Sequence, residues 1–159
     1  MKSLKAQHSP LADAHEQIEI LEHGANHDDA FRLIPFQQKL EGIGLYPLKP
    51  TRLEIFQINV GKMCNQVCKH CHVDAGPDRK EIMTRETMQQ CLEVLKTNPS
   101  FKTVDLTGGA PEMNPEFRWF IEEIKKVNPS INIIVRCNLT IILSNKKYYD
   151  LPDFFKQHN

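Results

Sequence analysis

The sequence predicts an α/β fold built around a parallel sheet. Three short runs rich in β-branched residues alternate with stretches in which apolar residues recur at helical spacing. The tripeptide Asn-Pro-Ser ends the first two helical stretches, at residues 98–100 and 128–130. Because parallel strands need crossover connections, this βαβαβ order predicts right-handed crossovers and a functional site at the carboxyl ends of the strands.

The first unit begins with residues 53–60, LEIFQINV, which we predict to be a buried strand because it is rich in Ile, Val and Phe and stops at Gly61. A cysteine-rich loop follows and ends at the Gly76-Pro77 turn. We predict a helix after it, with Thr84 as its N-cap. The apolar face of that helix comprises Met88, Cys91, Leu92 and Leu95.

The second unit has the same order. Residues 103–107, TVDLT, predict a short strand, and residues 108–114, GGAPEMN, predict a loop. We expect Asn114 to cap the next helix and Pro115 to occupy its first position. The apolar face of that helix comprises Phe117, Phe120, Ile121 and Ile124.

The third unit begins with a strand at residues 131–137, INIIVRC, followed by NLT at 138–140. A further helix is predicted to begin in LPDFFKQHN, residues 151–159. The three chemically distinctive loops, which contain the cysteines, GGAPE and RCNLT, each follow a strand. They are therefore expected to converge at one edge of the sheet.

The amino-terminal part of the chain looks different from the rest. Residues 1–30 form a polar segment that we predict to be a mobile leader with a helix near residues 12–22 and no chemical role. Residues 31–52 predict a short helical cap, and residues 53–159 form the main domain. Pro35 at the start and Gly42 near the end suit that short helix.

Composition excludes several classes of partner. The 159 residues include 20 basic and 20 acidic side chains without a long block of either sign, which gives no footprint for nucleic acid or an anionic membrane. The start of the chain lacks the apolar run of a signal peptide, and the most apolar stretch, residues 131–143, is interrupted by Arg136 and Asn138. We therefore expect a soluble, cytoplasmic protein.

The stretch CNQVCKHCHVDAGP, residues 64–77, holds three of the five cysteines, Cys64, Cys68 and Cys71, together with two histidines. An odd cysteine count without a secretory signal favours reduced thiols or metal ligation over disulfides. This spacing would also suit one apolar helical face. The basic residues nearby, which are Lys62, Lys69, His70 and His72, are instead expected to lower the pKa of the thiols and favour ligation.

Two metal centres fit these donors. Three cysteines with His70 or His72 could form a closed Cys₃His zinc site that stabilises a non-catalytic interaction module. Three thiolates without a fourth instead suit a [4Fe-4S] cluster in which one iron remains open to an outside ligand. A fragment that binds no cofactor is a third possibility.

The spacing C-x₃-C-x₂-C, from Cys64 to Cys71, resembles the signature of the radical S-adenosylmethionine (SAM) enzymes. The resemblance implies a [4Fe-4S] cluster on Cys64, Cys68 and Cys71, whose open iron chelates SAM and cleaves it to methionine and a 5′-deoxyadenosyl radical. It also implies a one-electron reductant protein such as a flavodoxin or ferredoxin. The implied fold is a partial (β/α)₆ TIM-like barrel, of which this chain would supply the first three βα units, an apparently truncated amino-terminal half.

Further residues take roles from the same resemblance. Gly108 and Gly109, in the stretch Gly108-Gly109-Ala110-Pro111-Glu112, resemble the family's Gly-Gly-Glu element, whose backbone holds the methionine end of SAM. Ala110 departs from that pattern, and whether Glu112 supplies the carboxylate is open. His70 precedes the third cysteine, where it could lie near the adenine or be a plain surface histidine.

The third loop leaves comparable alternatives. Asn138 and Thr140 could reach the ribose hydroxyls or cap the next helix. The remaining two cysteines, Cys91 and Cys137, are expected to be buried thiols.

Three longer stretches resemble the arsenosugar biosynthesis radical SAM family more specifically. They are QINVGKMCNQVCKHCHVDAGPDRKEIM, DLTGGAPEMNPEFR and VRCNLTIIL. This resemblance implies transfer of the 5′-deoxyadenosyl group to a methylated trivalent arsenic compound. It assigns no role to His72 or Asp74.

Overall fold

The computed structural model describes residues 2–24 and 34–158. Its centre is a three-stranded sheet in the order β1-β2-β3, with β1 at Ile55–Asn59, β2 at Thr103–Thr107 and β3 at Asn132–Val135. Both strand pairs are parallel. The α/β class and the parallel sheet predicted from the sequence are therefore confirmed within the described residues.

In the described part of the chain, six α-helices surround or precede the sheet. They are α1 at Ala14–Gly24, α2 at Phe36–Gly42, α3 at Arg85–Thr97, α4 at Phe117–Val127, α5 at Thr140–Ser144 and α6 at Leu151–Gln157. Single 3₁₀ turns occur at Lys5–Gln7, Pro10–Ala12, Pro111–Met113 and Lys146–Tyr148. The helices predicted near residues 12–22, after Pro35 and within 151–159 are all present, with shifted ends.

The hydrophobic core lies on one face of the sheet. Alternate strand residues such as Ile58, Val104 and Leu106 pack against helices α3, α4 and α6. The opposite face remains open, and Ile55 on it is 60% exposed. The prediction that the first strand is buried is therefore wrong for half of its residues, because helices cover only one side of the sheet in the described part of the chain.

The helix ends follow local hydrogen bonding. Thr84 caps α3 as predicted, since its side chain accepts from the backbone N–H of Thr87. The predicted start of α4 is two residues too early. Asn114 accepts from the N–H of Glu116, but its amide group donates to the carbonyls of Val60 and Met83, both at 3.0 Å. Its side chain therefore joins the second loop to the first, and the helix begins at Phe117.

The amino-terminal segment contacts the main domain. Ser3 and Leu4 are buried against the cysteine loop, although the sequence suggests a mobile leader. Residues 25–33 lie outside the described part, and with them the first residues of the predicted helical cap. Among the described residues, no helix combines the length and apolar content that a membrane crossing requires.

Candidate functional site

The loops after β1 and β2 are joined by their backbones. The N–H of Gly109 donates to the carbonyl of Gly61, and the N–H of Ala110 donates to the carbonyl of Met63, both at 2.9 Å. A Cβ at Gly109 would lie 2.4 Å from the Met63 oxygen and 3.0 Å from the Cβ of Cys64. Only glycine allows this approach, which places the GGAPE stretch directly against the first cysteine.

The loop after β3 reaches the same cysteine. The amide nitrogen of Asn138 donates to the side chain of Asn65 at 2.8 Å and lies 3.7 Å from the Cys64 sulfur. Its amide oxygen accepts from the N–H of Ile141 at 3.1 Å, in the first turn of α5. The Asn138 side chain therefore hydrogen-bonds both to the first turn of α5 and to the cysteine loop. The predicted convergence of the three loops is confirmed.

The three thiols sit in different surroundings. Cys64 is buried, whereas Cys68 and Cys71 are half-buried. Backbone N–H groups donate to two of the sulfurs, from Gln66 to Cys64 at 3.4 Å and from Ala75 to Cys71 at 3.3 Å. Such bonds stabilise negative charge on sulfur and are a common feature of thiolates that bind metal clusters.

The expected lowering of thiol pKa values is wrong for Cys64. Burial raises the pKa of this thiol, and the neighbouring charges of Cys68 and Cys71 add to the increase. Lys69, His70 and His72 are exposed, so solvent screens their charges from this buried thiol. A cationic centre that contacts all three sulfurs would remove this mutual repulsion.

The cysteine loop contains soft donors of the kind that iron and zinc prefer. Three thiols fall within eight residues, and their charges influence one another. No group of three or more Cys, His, Asp or Glu side chains in residues 2–24 and 34–158 is arranged as a metal site. The residue types fit an iron–sulfur centre, and the sulfurs would have to turn inward to hold it. The same finding applies to the zinc alternative, which would also need His70 or His72 as a fourth ligand.

His70 is exposed and lines an apolar cavity of about 230 Å³ beside Cys71. Leu4 and Leu11 of the amino-terminal segment and Ile20 of α1 form the opposite wall. The cavity therefore lies between the cysteine loop and a segment to which the sequence assigned no role.

Glu112 is buried without a hydrogen bond to either carboxylate oxygen. It lies close enough to Cys137 to affect that thiol: burial first, and then the carboxylate of Glu112, raise the pKa of Cys137 to about 12. Cys137 and Cys91 are half-buried, so the prediction that they are buried is only partly right. An unpaired buried carboxylate is costly and marks a position where a cationic partner would be stabilising.

Asp74 and Arg79 form a buried ion pair that the sequence analysis did not identify. The two side chains are 5% and 9% exposed. Asp74 has a φ of +49°, and its carboxylate also accepts from the backbone N–H of Lys5 at 3.2 Å. The sequence HVDAGP contains one indication of this geometry, because Asp is among the residues that tolerate the left-handed backbone conformation. No local pattern in the sequence indicates that Arg79 is the partner of Asp74.

The family model described as the Radical SAM superfamily matches residues 58–153, which is more than half of the chain. No curated protein matches the sequence. The matched residues include all three loops that meet around Cys64.

Proposed function

Because this chain belongs to the radical SAM superfamily, we propose that Cys64, Cys68 and Cys71 hold a [4Fe-4S] cluster beside which SAM binds. The observation that carries the proposal is the meeting of three strand-end loops at Cys64, within the residues that match the family. The backbone N–H donors to the sulfurs of Cys64 and Cys71 support it, since hydrogen bonds to sulfur are typical of the cysteines that hold iron–sulfur clusters. The superfamily implies both cofactors.

A bound cluster, once reduced, would supply the one electron with which SAM is cleaved to methionine and a 5′-deoxyadenosyl radical. The chain's own residues bind and orient the cofactor. Gly108 and Gly109 present backbone that a ligand can approach closely, because neither carries a side chain. Glu112 supplies a carboxylate with free acceptor oxygens, which suits the amino group of methionine.

Two side chains are proposed for the nucleoside end of SAM. The amide nitrogen of Asn138 lies beside Cys64 and would exchange its hydrogen bond to Asn65 for one to a ribose hydroxyl when SAM binds. His70 offers an exposed ring for the adenine. Ala110 and Pro111 are buried and shape the backbone between the glycines and Glu112.

The finer proposal concerns the reaction. We infer transfer of the 5′-deoxyadenosyl group to a methylated trivalent arsenic compound, with a flavodoxin or ferredoxin as electron donor. Its support is the resemblance of the three motif stretches, above all HCHVDAGP, to the arsenosugar biosynthesis family. Asp74 is buried within that stretch, which indicates that this part of the motif stabilises the loop.

Anaerobic reconstitution of the full chain with iron and sulfide tests the cluster. We expect close to four irons per chain and an electron paramagnetic resonance spectrum that changes when SAM is added. Alanine at Cys64, Cys68 or Cys71 should abolish iron retention. Cys91→Ala is the matched control, because Cys91 lies on α3 away from the loop. Equal iron retention in the loop variants and the control would refute the proposal, and so would retained zinc without a response to SAM.

A turnover assay tests the reaction. The reconstituted chain is incubated anaerobically with dithionite, SAM and dimethylarsinous acid. Mass spectrometry should then detect a product with a new carbon–arsenic bond. SAM cleavage to 5′-deoxyadenosine without that product would exclude the arsenic substrate and leave the superfamily assignment intact.

A further inference from the structure

A row of polar side chains crosses the open face of the sheet. Gln57 of β1 and Asp105 of β2 are direct partners in the parallel register, and the Gln57 amide donates to the Asp105 carboxylate at 2.9 Å. Arg136, just after β3, donates to the same carboxylate from Nε at 2.9 Å and from Nη2 at 2.7 Å. The row joins all three strands on the side away from the hydrophobic core.

The pairing of Arg136 with Asp105 leaves part of the guanidinium available. A guanidinium has two edges that can each hold a carboxylate, and this pair uses the edge formed by Nε and Nη2. Within the described residues, Nη1 of Arg136 makes no hydrogen bond. The Asp105 side chain is 5% exposed and the Arg136 side chain is 58% exposed. The Asp105 carboxylate is thus covered by its neighbours on the open face, while the Arg136 guanidinium faces outward.

Arg136 lines a cavity of about 380 Å³ at the carboxyl end of the strands. No carboxylate is among its lining residues, which are Gln57, Asn59, His72, Val73, Thr107 and Arg136. The oxygen of the Asn59 amide accepts from the N–H of Gly61 at 3.0 Å, which directs its nitrogen elsewhere as a donor. The cavity therefore offers hydrogen-bond donors around a fixed guanidinium, with its only acidic partner already engaged.

We propose that this cavity binds an anionic group, a carboxylate or an oxoanion, through the free edge of Arg136 with Asn59 and Thr107 beside it. Asp105 acts as a positioning residue, because hydrogen bonds from both Nε and Nη2 hold the guanidinium in one orientation before a ligand arrives. His72 and Val73 form the wall nearest to the cysteine loop, so the cavity adjoins the loop that we propose to hold the cluster.

The identity of the ligand rests on the proposed function, whereas the anion site itself does not. The anion could belong to the methionine carboxylate of SAM or to the acceptor substrate. Both sources present the same chemistry to Arg136, and the experiment separates them.

The first measurement uses the full chain without metal and sulfate or acetate as probes. Nuclear magnetic resonance of arginine side-chain nitrogens should show a saturable shift at Arg136 with millimolar affinity. Arg136→Gln should weaken sulfate binding at least tenfold. Arg118→Gln is the matched control, because Arg118 also pairs with a carboxylate, that of Asp150, but on the outer surface. Unchanged sulfate binding in Arg136→Gln, or no saturable shift in the parent chain, overturns the proposal.

Two more variants guard against loss of folding. Arg136→Lys keeps the charge but cannot use two edges, so it should weaken acetate binding while the circular dichroism spectrum is retained. The double variant Asp105→Asn, Arg136→Gln removes both charges together, so no unpaired buried carboxylate remains. If that folded double variant still bound sulfate as tightly as the parent chain, Arg136 would not be the anion site.

The second measurement identifies the source of the anion on the reconstituted chain. A tenfold or greater loss of SAM affinity in Arg136→Gln would assign the site to the SAM carboxylate. Unchanged SAM affinity, together with lost sulfate binding, would assign it to the acceptor substrate. Because the sulfate titration needs no cluster, failure of the proposed function leaves this test of the site intact.

Discussion

Ser3 donates two hydrogen bonds to the carboxylate of Asp78, from its backbone N–H at 2.9 Å and from its hydroxyl at 2.8 Å. Seventy-five residues separate these two side chains in sequence. Together with the bond from the N–H of Lys5 to Asp74, they tie the amino-terminal segment to the turn that follows the third cysteine. The segment thus braces the cysteine loop from outside.

Removing a contact between the amino-terminal segment and the cysteine loop should make the turn that contains Asp78 more mobile. We expect Ser3→Ala to cost about 1 kcal/mol, since it removes the hydrogen bond that this buried hydroxyl donates to Asp78 and the weaker one that it accepts from the N–H of Ala6. Hydrogen exchange over residues 71–78 should become faster, and alkylation of Cys71 should rise. Ser9→Ala is the control, because the Ser9 side chain makes no cap hydrogen bond. Equal exchange in both variants would show that the contact does not hold the turn.

Gly109 should not tolerate a side chain. In Gly109→Ala the new methyl group would meet the Met63 carbonyl at 2.4 Å, so the two loops must separate. We expect a loss of about 2 kcal/mol or more in the free energy of unfolding, measured by urea denaturation. Iron retention after reconstitution should fall with it, because the displaced loop contains Cys64.

The matched control for Gly109 is Gly42→Ala. Nothing lies within 4 Å of a Cβ at Gly42, the last residue of α2. The alanine variant should be unchanged or more stable by up to about 1 kcal/mol. A comparable loss in both variants would contradict the steric explanation.

The buried pair of Asp74 and Arg79 should contribute far more than an exposed one. Arg79→Met leaves the Asp74 carboxylate buried without its cation, and we expect a loss of about 3 kcal/mol or more. Arg52→Met removes an exposed partner of Glu54, and its cost should stay below about 1 kcal/mol. Thermal and urea unfolding of the two variants compare them directly. Similar losses would mean that Arg79 is better solvated than its 9% exposure indicates.

Among the thiols of this chain, Cys137 should react most slowly with alkylating reagents. Burial and the Glu112 carboxylate raise its pKa to about 12, so its thiolate fraction at pH 8 should be at least about 100-fold below that of a free cysteine. Site-resolved alkylation against pH measures this value. Glu112→Gln should lower the pKa of Cys137, although burial keeps it above 9.0.

The same thiol links stability to pH. The folded state holds its proton more tightly than the unfolded state, whose thiol has an ordinary pKa. The contribution of Cys137 is therefore complete below about pH 8.5 and is lost as the pH rises toward 12. Cys137→Ala should show a flatter stability profile above pH 9 than the parent chain. An identical profile would contradict the raised pKa.

Local sequence determined most of the secondary structure and the position of the candidate site. β2 occupies the predicted residues 103–107, and Thr84 caps α3 as expected, because strand propensity and capping depend on neighbouring residues. Parallel topology places all strand ends at one edge, so the meeting of the cysteine loop with GGAPE followed from the order of elements alone.

Only the tertiary structure decided which side chains became partners across long separations. Ser3 with Asp78, and Asp105 with Arg136, are far apart in sequence, and no local pattern specifies such pairs. The pKa of Cys64 likewise depends on burial, which raises it although basic residues lie close by in the sequence. Sequence periodicity fixes where a side chain points along its own element, whereas burial and charge pairing depend on what the rest of the fold brings against it.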